Sequence, residues 1–545
     1  MVLIVASLAI TANQAPPPAI AELSPEATQK IDQAPDSQAS QLGSADGGGG
    51  GGTDGSGATT STSSTLPGAS AEPGETTATT QPFQRPRRRR CVGTPPRQTE
   101  DPQSPPCVPF WSGDNGGATY KGVTGGEIRV AVPQEDANMT AALQAYFNAR
   151  YELYGRRLVL VPTAPTSDSC EALKAAAISV NSQKNFGSIG LNHNYERCYF
   201  DQLTLLKLVG VTSQPIYTEN ELAARSPYLW NYPMGYERIL RATGRWICDR
   251  LAGGPARFAE GTDGSTPPQT MAAKTRVFGL LAQTDGGGVA LDTKPLESAM
   301  AACGAGIAER YDFLADGSQT GDLGANTSAV IRLRSKGVTS VICLCVGAIV
   351  GAAATGQRWF PEWLVSTMNY NDYENFLRYF FTDEQQRANT FGITVQPRQV
   401  AYKDTPVMQA LSDADGANDY TKSGDSIYML ARQRFYHQLL LFVSGIQMAG
   451  PNLTPETFRI GLQGRLFPNP EDPTRPGKVG FSAPKDHSMT EDIAEYYWSQ
   501  LAQSPYGDGN VGSICYVDGG RRRTEATGFP KGDAPFFTSP CDSGG

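Results

Sequence analysis

The chain has 545 residues, only 18% of them charged, and a formal net charge of −8. An acidic, charge-poor composition argues against nucleic-acid binding, which rests on Lys and Arg neutralising phosphates, and against adhesion to anionic lipid through basic residues. Of the aromatic residues only Phe83 precedes Phe110, so the first fifth cannot bury enough apolar area to offset its ordering entropy. That leaves about 400 residues, enough for two lobes of ordinary size.

The chain opens with an apolar run, Val2 to Ile10, followed by the small-x-small pattern Ala19-Ile20-Ala21. This reads as a signal or anchor segment over 1–21, although no basic residue precedes it. The membrane is reached only through this segment, if it is not cleaved. Residues 22–90 are a Gly/Ser/Thr/Pro linker that includes the glycine run 47–52. It ends in a basic knot, Arg85 and Arg87 to Arg90, read as solvated linker charge. Residues 91–126 carry Phe110, Trp111 and Tyr120 among prolines and glycines and read as an irregular strap packed on the folded domain.

From residue 127 the periodicity changes. A strand is expected over 128–132, a helix over 140–154, a strand over 157–162, a helix over 169–181, a short strand over 186–191, a helix over 199–209 and an edge of sheet over 212–217. The pattern then restarts: helix 235–251, strand 275–282, helix 295–303, strand 308–314, helix 327–336, strand 338–346, helix 348–356 and strand 362–366. A third stretch holds the longest helix, 425–449, then a helix over 454–463 opened by Thr454-Pro455-Glu456, and a last strand over 494–501. Alternating strands and helices with short connections imply right-handed βαβ units and parallel sheets. The fold class is therefore α/β, with two doubly wound parallel-sheet lobes.

The ten cysteines are scattered and even in number, without C-x-x-C pairs. That pattern suits disulfides in an oxidising compartment better than zinc. Near neighbours suggest Cys91–Cys107, Cys170–Cys198 and Cys515–Cys541, with Cys248–Cys303 as a fourth. Cys343 and Cys345 share one face of an apolar strand and are expected as buried free thiols. No metal site and no cofactor are expected: a set of His193, Glu196 and Cys198 fits no ligand spacing.

Catalytic signatures are missing. There is no G-x-S-x-G elbow, no phosphate-binding P-loop and no H-E-x-x-H. Of the three histidines, His437 falls inside the long apolar helix and His487 in a polar loop. His193 follows an apolar strand at its carboxyl end, where open parallel sheets place ligands. Asn192, His193, Asn194 and Tyr195 are thus a candidate ligand loop, offering donors and acceptors. Thr367 and Tyr370 lie in a second such loop after strand 362–366. Aromatics there would clamp an apolar or sugar-like face.

Several segments resemble the type 1 periplasmic binding proteins of bacteria. Phe147 to Arg156 (FNARYELYGR) running into Arg157-Leu158-Val159 resembles that family's first helix end and second strand. Phe186 to Gly190 (FGSIG) resembles its V-x-x-I-G strand, Val211 to Tyr217 its V-P-x-I-S strand, and Ser226 to Trp230 (SPYLW) its P-Y-x-F-R crossover. Residues 328–341, 428–450 and 453–466 resemble its later helices. The likeness covers about 127–501, and the order of these motifs carries it.

The resemblance implies a multi-pass hinge, with lobe 1 from 127–234 and 400–485, lobe 2 from 235–399 and 486–503, and an irregular tail over 504–545. It also implies a secreted or cell-envelope protein that closes on a small amino-acid-like or other polar ligand and serves an ABC-type permease, without catalysis. Thr218 and Glu219, and Asp285 and Gly286, stand where the family has ligand loops. The turn Gly190-Leu191-Asn192 departs from the small hydroxyl residues of amino-acid-binding members, and the Asp285 loop lacks their aromatic. The alternatives are a module of this fold that has lost its ligand and a secreted α/β hydrolase dependent on His193 or His437.

Overall fold

The computed structural model describes residues 89–94, 96–167, 169–191, 196–262, 267–284, 291–313, 322–345, 348–367, 372–381, 383–414, 426–463, 467, 481, 486–532, 536–537 and 541. A short strap opens with β1 (Cys91–Val92) and β2 (Arg97–Gln98). The first lobe comes next as β3 (Glu127–Pro133), α1 (Ala137–Arg150), β4 (Arg157–Thr163), α2 (Cys170–Ser182), β5 (Gly187–Ile189), α3 (Glu196–Leu205), β6 (Val209–Thr212), α4 (Glu219–Ala224) and β7 (Leu229–Asn231). Its five strands are all parallel, in the order β4-β3-β5-β6-β7.

The second lobe comprises α5 (Tyr236–Arg250), β8 (Phe278–Gln283), α6 (Lys294–Ala301), β9 (Ile307–Phe313), α7 (Leu323–Ser335), β10 (Ser340–Leu344), α8 (Ala348–Gly356), β11 (Glu362–Val365), α9 (Glu374–Phe380), α10 (Glu384–Arg387) and β12 (Thr390–Thr394). The chain then returns to the first lobe with α11 (Pro406–Ala414), α12 (Ser426–Ala449) and α13 (Pro455–Gln463), and ends on the second with β13 (Asp492–Gln503), β14 (Val511–Tyr516) and β15 (Arg523–Thr524). The second sheet runs β9-β8-β10-β11-β12 in parallel and is extended by antiparallel β13 and β14. Both parallel sheets therefore have one winding: the first strand in sequence lies between the second and the third. In each, connections leave to opposite sides between the first and third strands, which opens a crevice at their carboxyl ends.

The chemistry of the sequence accounts for these elements. All six residues of β8 are buried, as expected for a strand with helices on both faces. Helix starts carry side-chain caps: Asp136 accepts from Met139 N, Ser169 from Ala172 N and Asp322 from Gly324 N, satisfying amides that have no intrahelical partner. A side chain at Gly392 in β12 would collide with the Val365 carbonyl of β11, so only glycine lets these strands approach.

Among the described residues three apolar clusters form the core. One joins β3 to β7 with α1, α11, α12 and α13 around Phe147, Tyr436 and Phe442. One lies under α7 and α8, around Trp359 and Trp363. The third covers the α2 and α3 face of the first sheet and continues through Leu222, Met234 and Tyr236 to Trp246 and Phe278 of the second lobe. The lobes are thus packed together along α4 and α5.

Among the described residues three chain passes join the lobes. The first is 232–235, between β7 and α5. The second is 395–405, between β12 and α11. In the third, 487–490 runs beside β7, with Asn231 N donating to His487 O (2.8 Å) and Met489 N to Asn231 O (2.8 Å), before the chain enters β13. Arg522 ties the second pass to the start of β13, just beyond the third: it donates to Gln396 O (2.6 Å), Val395 O (3.0 Å), Asp492 O (2.9 Å) and Asp492 Oδ1 (3.0 Å).

Several expectations are corrected. Cys343 and Cys345 are not free thiols: they are joined to each other, with Cα atoms 4.9 Å apart. Both side chains share one face, and β10 ends at Leu344, so Cys345 is released from the ladder and turns back. The other four expected bridges are present. The edge expected over 212–217 ends at Thr212. Ser213 and Gln214 turn out of the sheet there, with Gln214 N donating to Thr212 Oγ1 (3.0 Å), and Pro215 has no N–H to continue a ladder. Arg89 is not solvated linker charge. Its guanidinium lies 4.3 Å from the centre of the Phe110 ring and 3.7 Å from Glu152. His487 is buried, with its ring 4.7 Å from that of Trp230 at a tilt of 35°. The tail is not irregular throughout, because β14 extends the second sheet and holds Cys515.

The strap packs through polar groups. Tyr436 OH donates to Asp101 Oδ2 (2.7 Å), Tyr232 OH to Gln103 Oε1 (2.9 Å), and Ser104 Oγ pairs with Tyr151 OH (3.0 Å). Tyr232 belongs to the first interlobe pass, so the strap reaches the junction between the lobes. Among the described residues no helix is long and apolar enough to cross a membrane.

Candidate functional site

The crevice of the first sheet opens where β3 and β5 end. Gly190, the residue after β5, donates its N–H to Gln438 Oε1 of α12 (2.5 Å). Glu196, the first residue of α3, is also close: a Cβ on Gly190 would lie 2.9 Å from Glu196 Oε1 and 3.0 Å from Gln438 Oε1. Glycine here leaves room for both side chains to converge on the strand end. One strand over, Arg434 of α12 donates to Ser213 Oγ (2.9 Å) just beyond β6. Arg434 and Gln438 are four residues apart, so one face of α12 runs along these carboxyl ends.

In the second sheet the equivalent crevice opens where β8 and β10 end. Gln283 closes β8 and is buried. The Cys343–Cys345 bridge closes β10. After β11, Ser366 and Thr367 are buried. Thr367 Oγ1 donates to Asp372 Oδ2 (2.8 Å), Thr394 Oγ1 donates to the same oxygen (2.6 Å), and Val395 N donates to Thr367 Oγ1 (2.8 Å). Burial pushes the Asp372 carboxyl up to about 6, against the pull of its two hydroxyl donors. Thr367 thus links the crevice to the second interlobe pass.

Asn192, His193, Asn194, Tyr195, Asp285, Gly286 and Tyr370 lie outside the described residues. Thr218 and Glu219 lie at the lobe junction. Thr218 caps α4: Glu221 N donates to its Oγ1 (3.1 Å), and Thr218 N donates to Glu221 Oε2 (2.9 Å), a capping box. Glu219 joins a cluster around Arg238, at 3.6 Å, with Asp486 (3.7 Å), Glu491 (3.2 Å) and Glu525 (3.9 Å). Its backbone N–H is capped by Glu237 Oε1 of α5 (2.7 Å).

Carboxylates outnumber guanidiniums in this cluster, and the titrations reflect it. Burial, with the Glu491 carboxyl alongside, pushes Asp486 up to about 7. Burial, with the Glu219 charge nearby, pushes Glu237 up to about 6. Glu219 is also raised, by burial and by Asp486. Burial alone would lower the Arg238 guanidinium, but Glu491, Asp486, Glu219 and Glu525 raise it. The upward shifts of Asp486, Glu237 and Glu219 reflect burial together with like-charge repulsion.

The remaining titratable candidates are structural. His437 stacks 4.7 Å from the Tyr232 ring, and burial lowers it to about 4, so it is neutral. Cys198 is committed to its bridge with Cys170. Among the described residues no group of His, Cys, Asp and Glu could hold a metal ion. Sequence reasoning missed Gln438, Gln283, Ser213 and Ser366. The available signals were an amide inside the apolar run His437-Gln438-Leu439-Leu440-Leu441-Phe442 and another closing Phe278-Gly279-Leu280-Leu281-Ala282-Gln283.

No known family matches the chain in sequence, and no curated protein does. Solved structures match in shape. The solute-binding protein of an ABC transporter from R. palustris, in complex with 4-hydroxybenzoate, superposes with a TM-score of 0.50 and 11% identity, covering 73% of this chain and 97% of that one. A solute-binding protein from Rhodopseudomonas palustris HaA2, in complex with p-hydroxybenzoic acid, gives the same figures. A branched-chain amino acid ABC transporter protein from Thermus thermophilus with bound valine shares 14% identity at a TM-score of 0.49, covering 74% of this chain and 96% of that one. With its two sheets of one winding and three interlobe passes, this chain has the fold of the type 1 periplasmic binding proteins.

Proposed function

We propose that the chain is a solute-binding protein that captures a small ligand between its lobes by hinge closure and passes it to an ABC-type permease. The observation that carries this reading is the pair of crevices, each at the carboxyl ends of a doubly wound sheet and each lined by buried polar side chains. The lobes are 127–234 with 400–485, and 235–399 with 486–503. The loops holding Asn192, His193, Asn194 and Tyr195, Asp285 and Gly286, and Thr367 and Tyr370 face the ligand. Five disulfide bridges suit an extracellular or envelope location, and the opening apolar segment serves export or anchoring. Solute-binding proteins of ABC transporters are among the solved structures of this fold, which supports transport over catalysis.

A thermal-shift screen of the full chain tests this, using amino acids, sugars and polyols, neutral amides, polyamines and aromatic acids. A ligand at 100 times its Kd stabilises the native state by about 2.7 kcal/mol, so at least one compound raises the Tm. Folded protein that responds to no compound of any class contradicts the proposal.

A further inference from the structure

Buried polar atoms in folded proteins nearly always have a partner. Two glutamines at the strand ends break that rule, one in each crevice. Gln438 is fully buried. Its Oε1 is held by the Gly190 N–H, which fixes the orientation of the amide, and its Nε2 has no hydrogen-bond partner. Gln283 is 3% exposed, and neither its Nε2 nor its Oε1 has a partner. Ser366, just past β11, is buried with its Oγ likewise unpartnered.

We propose that Gln283 and Gln438 are the paired specificity groups of the interlobe site, and that they take an uncharged ligand bearing hydroxyl or amide groups rather than an amino acid or a carboxylate. This rests on the proposed function, in which the ligand falls between the lobes. The amide donors at Gln438 Nε2 and Gln283 Nε2 call for ligand acceptors, and Gln283 Oε1 calls for a donor. Hydroxyl and neutral amide groups supply both. An amide carries no net charge with which to offset the desolvation of a ligand carboxylate. A site built to hydrogen-bond a ligand rejects analogues that leave its buried groups unpaired.

The test uses the full chain and its near-isosteric variants Gln283→Met and Gln283→Leu. Each is titrated with D-glucose, D-ribose and myo-inositol (the hydroxyl arm), nicotinamide (the neutral amide arm), L-leucine (a zwitterion) and 4-hydroxybenzoate (a carboxylate). At least one neutral probe binds, and the arm that responds identifies the group recognised. Both variants weaken that binding by about tenfold or more. Their ligand-free Tm stays unchanged or rises, because an amide without a partner costs stability. A lower ligand-free Tm with unchanged affinity would mean that Gln283 is satisfied within the protein and would overturn the inference. Binding of leucine or 4-hydroxybenzoate with no neutral probe bound would overturn it too, while leaving the solute-binding reading in place. If no probe of any class bound, that reading itself would fail, and the inference with it.

Discussion

Glu362→Ala lowers the unfolding free energy by about 3–5 kcal/mol, the range for breaking one side of a buried ion pair. The Glu362 and Arg276 side chains are both 0% exposed. Arg276 donates to Glu362 through Nε (2.8 Å) and Nη2 (2.9 Å), and Ser340 Oγ and Phe258 N add donors at 2.6 Å and 3.2 Å. Arg276 Nη1 reaches Leu251 O (3.1 Å). The pair therefore joins the start of β11 to β10, to the segment before β8 and to the end of α5. Alanine takes the Glu362 carboxylate from a fully buried guanidinium. Replacing both partners together, Arg276→Met with Glu362→Leu, recovers most of the loss, because the desolvation cost disappears with the charges. Urea unfolding followed by tryptophan fluorescence measures both. A loss below about 1 kcal/mol for Glu362→Ala, the range of a surface pair, would show that the pair is hydrated.

Arg522→Leu has an effect of similar size, about 3–5 kcal/mol, and acts where the lobes meet. The Arg522 and Asp492 side chains are 6% and 5% exposed, and the four bonds of Arg522 join Val395 and Gln396 in one interlobe pass to Asp492 at the start of β13, just beyond another. Leucine takes the guanidinium from the Asp492 carboxylate and from three backbone carbonyls at once. Lysine is a poor substitute, since a point charge cannot reproduce the planar fork. Hydrogen exchange separates this effect from general destabilisation. Amides of 395–405 and 487–491 exchange faster in Arg522→Leu than in a variant equally destabilised inside one lobe. Uniform acceleration over the whole chain would show that Arg522 serves the core and not the passes.

The βαβ alternation is legible in the sequence because parallel strands buried on both faces leave unbroken apolar runs. The helix Ala348–Gly356 matches its expected bounds to the residue, and the strand expected over 362–366 differs by one residue from β11. Short strands are harder. Leu229–Asn231 and Thr390–Thr394 are too brief to show a period, and the sheet assigns them through pairing with β6 and β11. Antiparallel β14 escapes sequence reasoning because its residues come after a turn-rich stretch and gain their place only by pairing with β13. Disulfide partners close in sequence are found by proximity. Cys343 and Cys345 mislead because an apolar strand conceals where its ladder ends.

The candidate site is legible as a position, the carboxyl ends of strands, more than as residues. Thr218 is expected from a family likeness that runs past the true end of β6, and its hydroxyl caps a helix instead. Gln438 cannot be placed from sequence, because which face of α12 meets the β5 end depends on packing between segments more than two hundred residues apart.

The central claim is that one ligand engages both crevices. Hydrogen exchange of the full chain, with and without the compound that raises its Tm, tests it most directly. The account predicts slowed exchange at Gly190–Leu191 and at Gln283–Thr284 together. Protection confined to one sheet, or lying away from the strand ends, would contradict it.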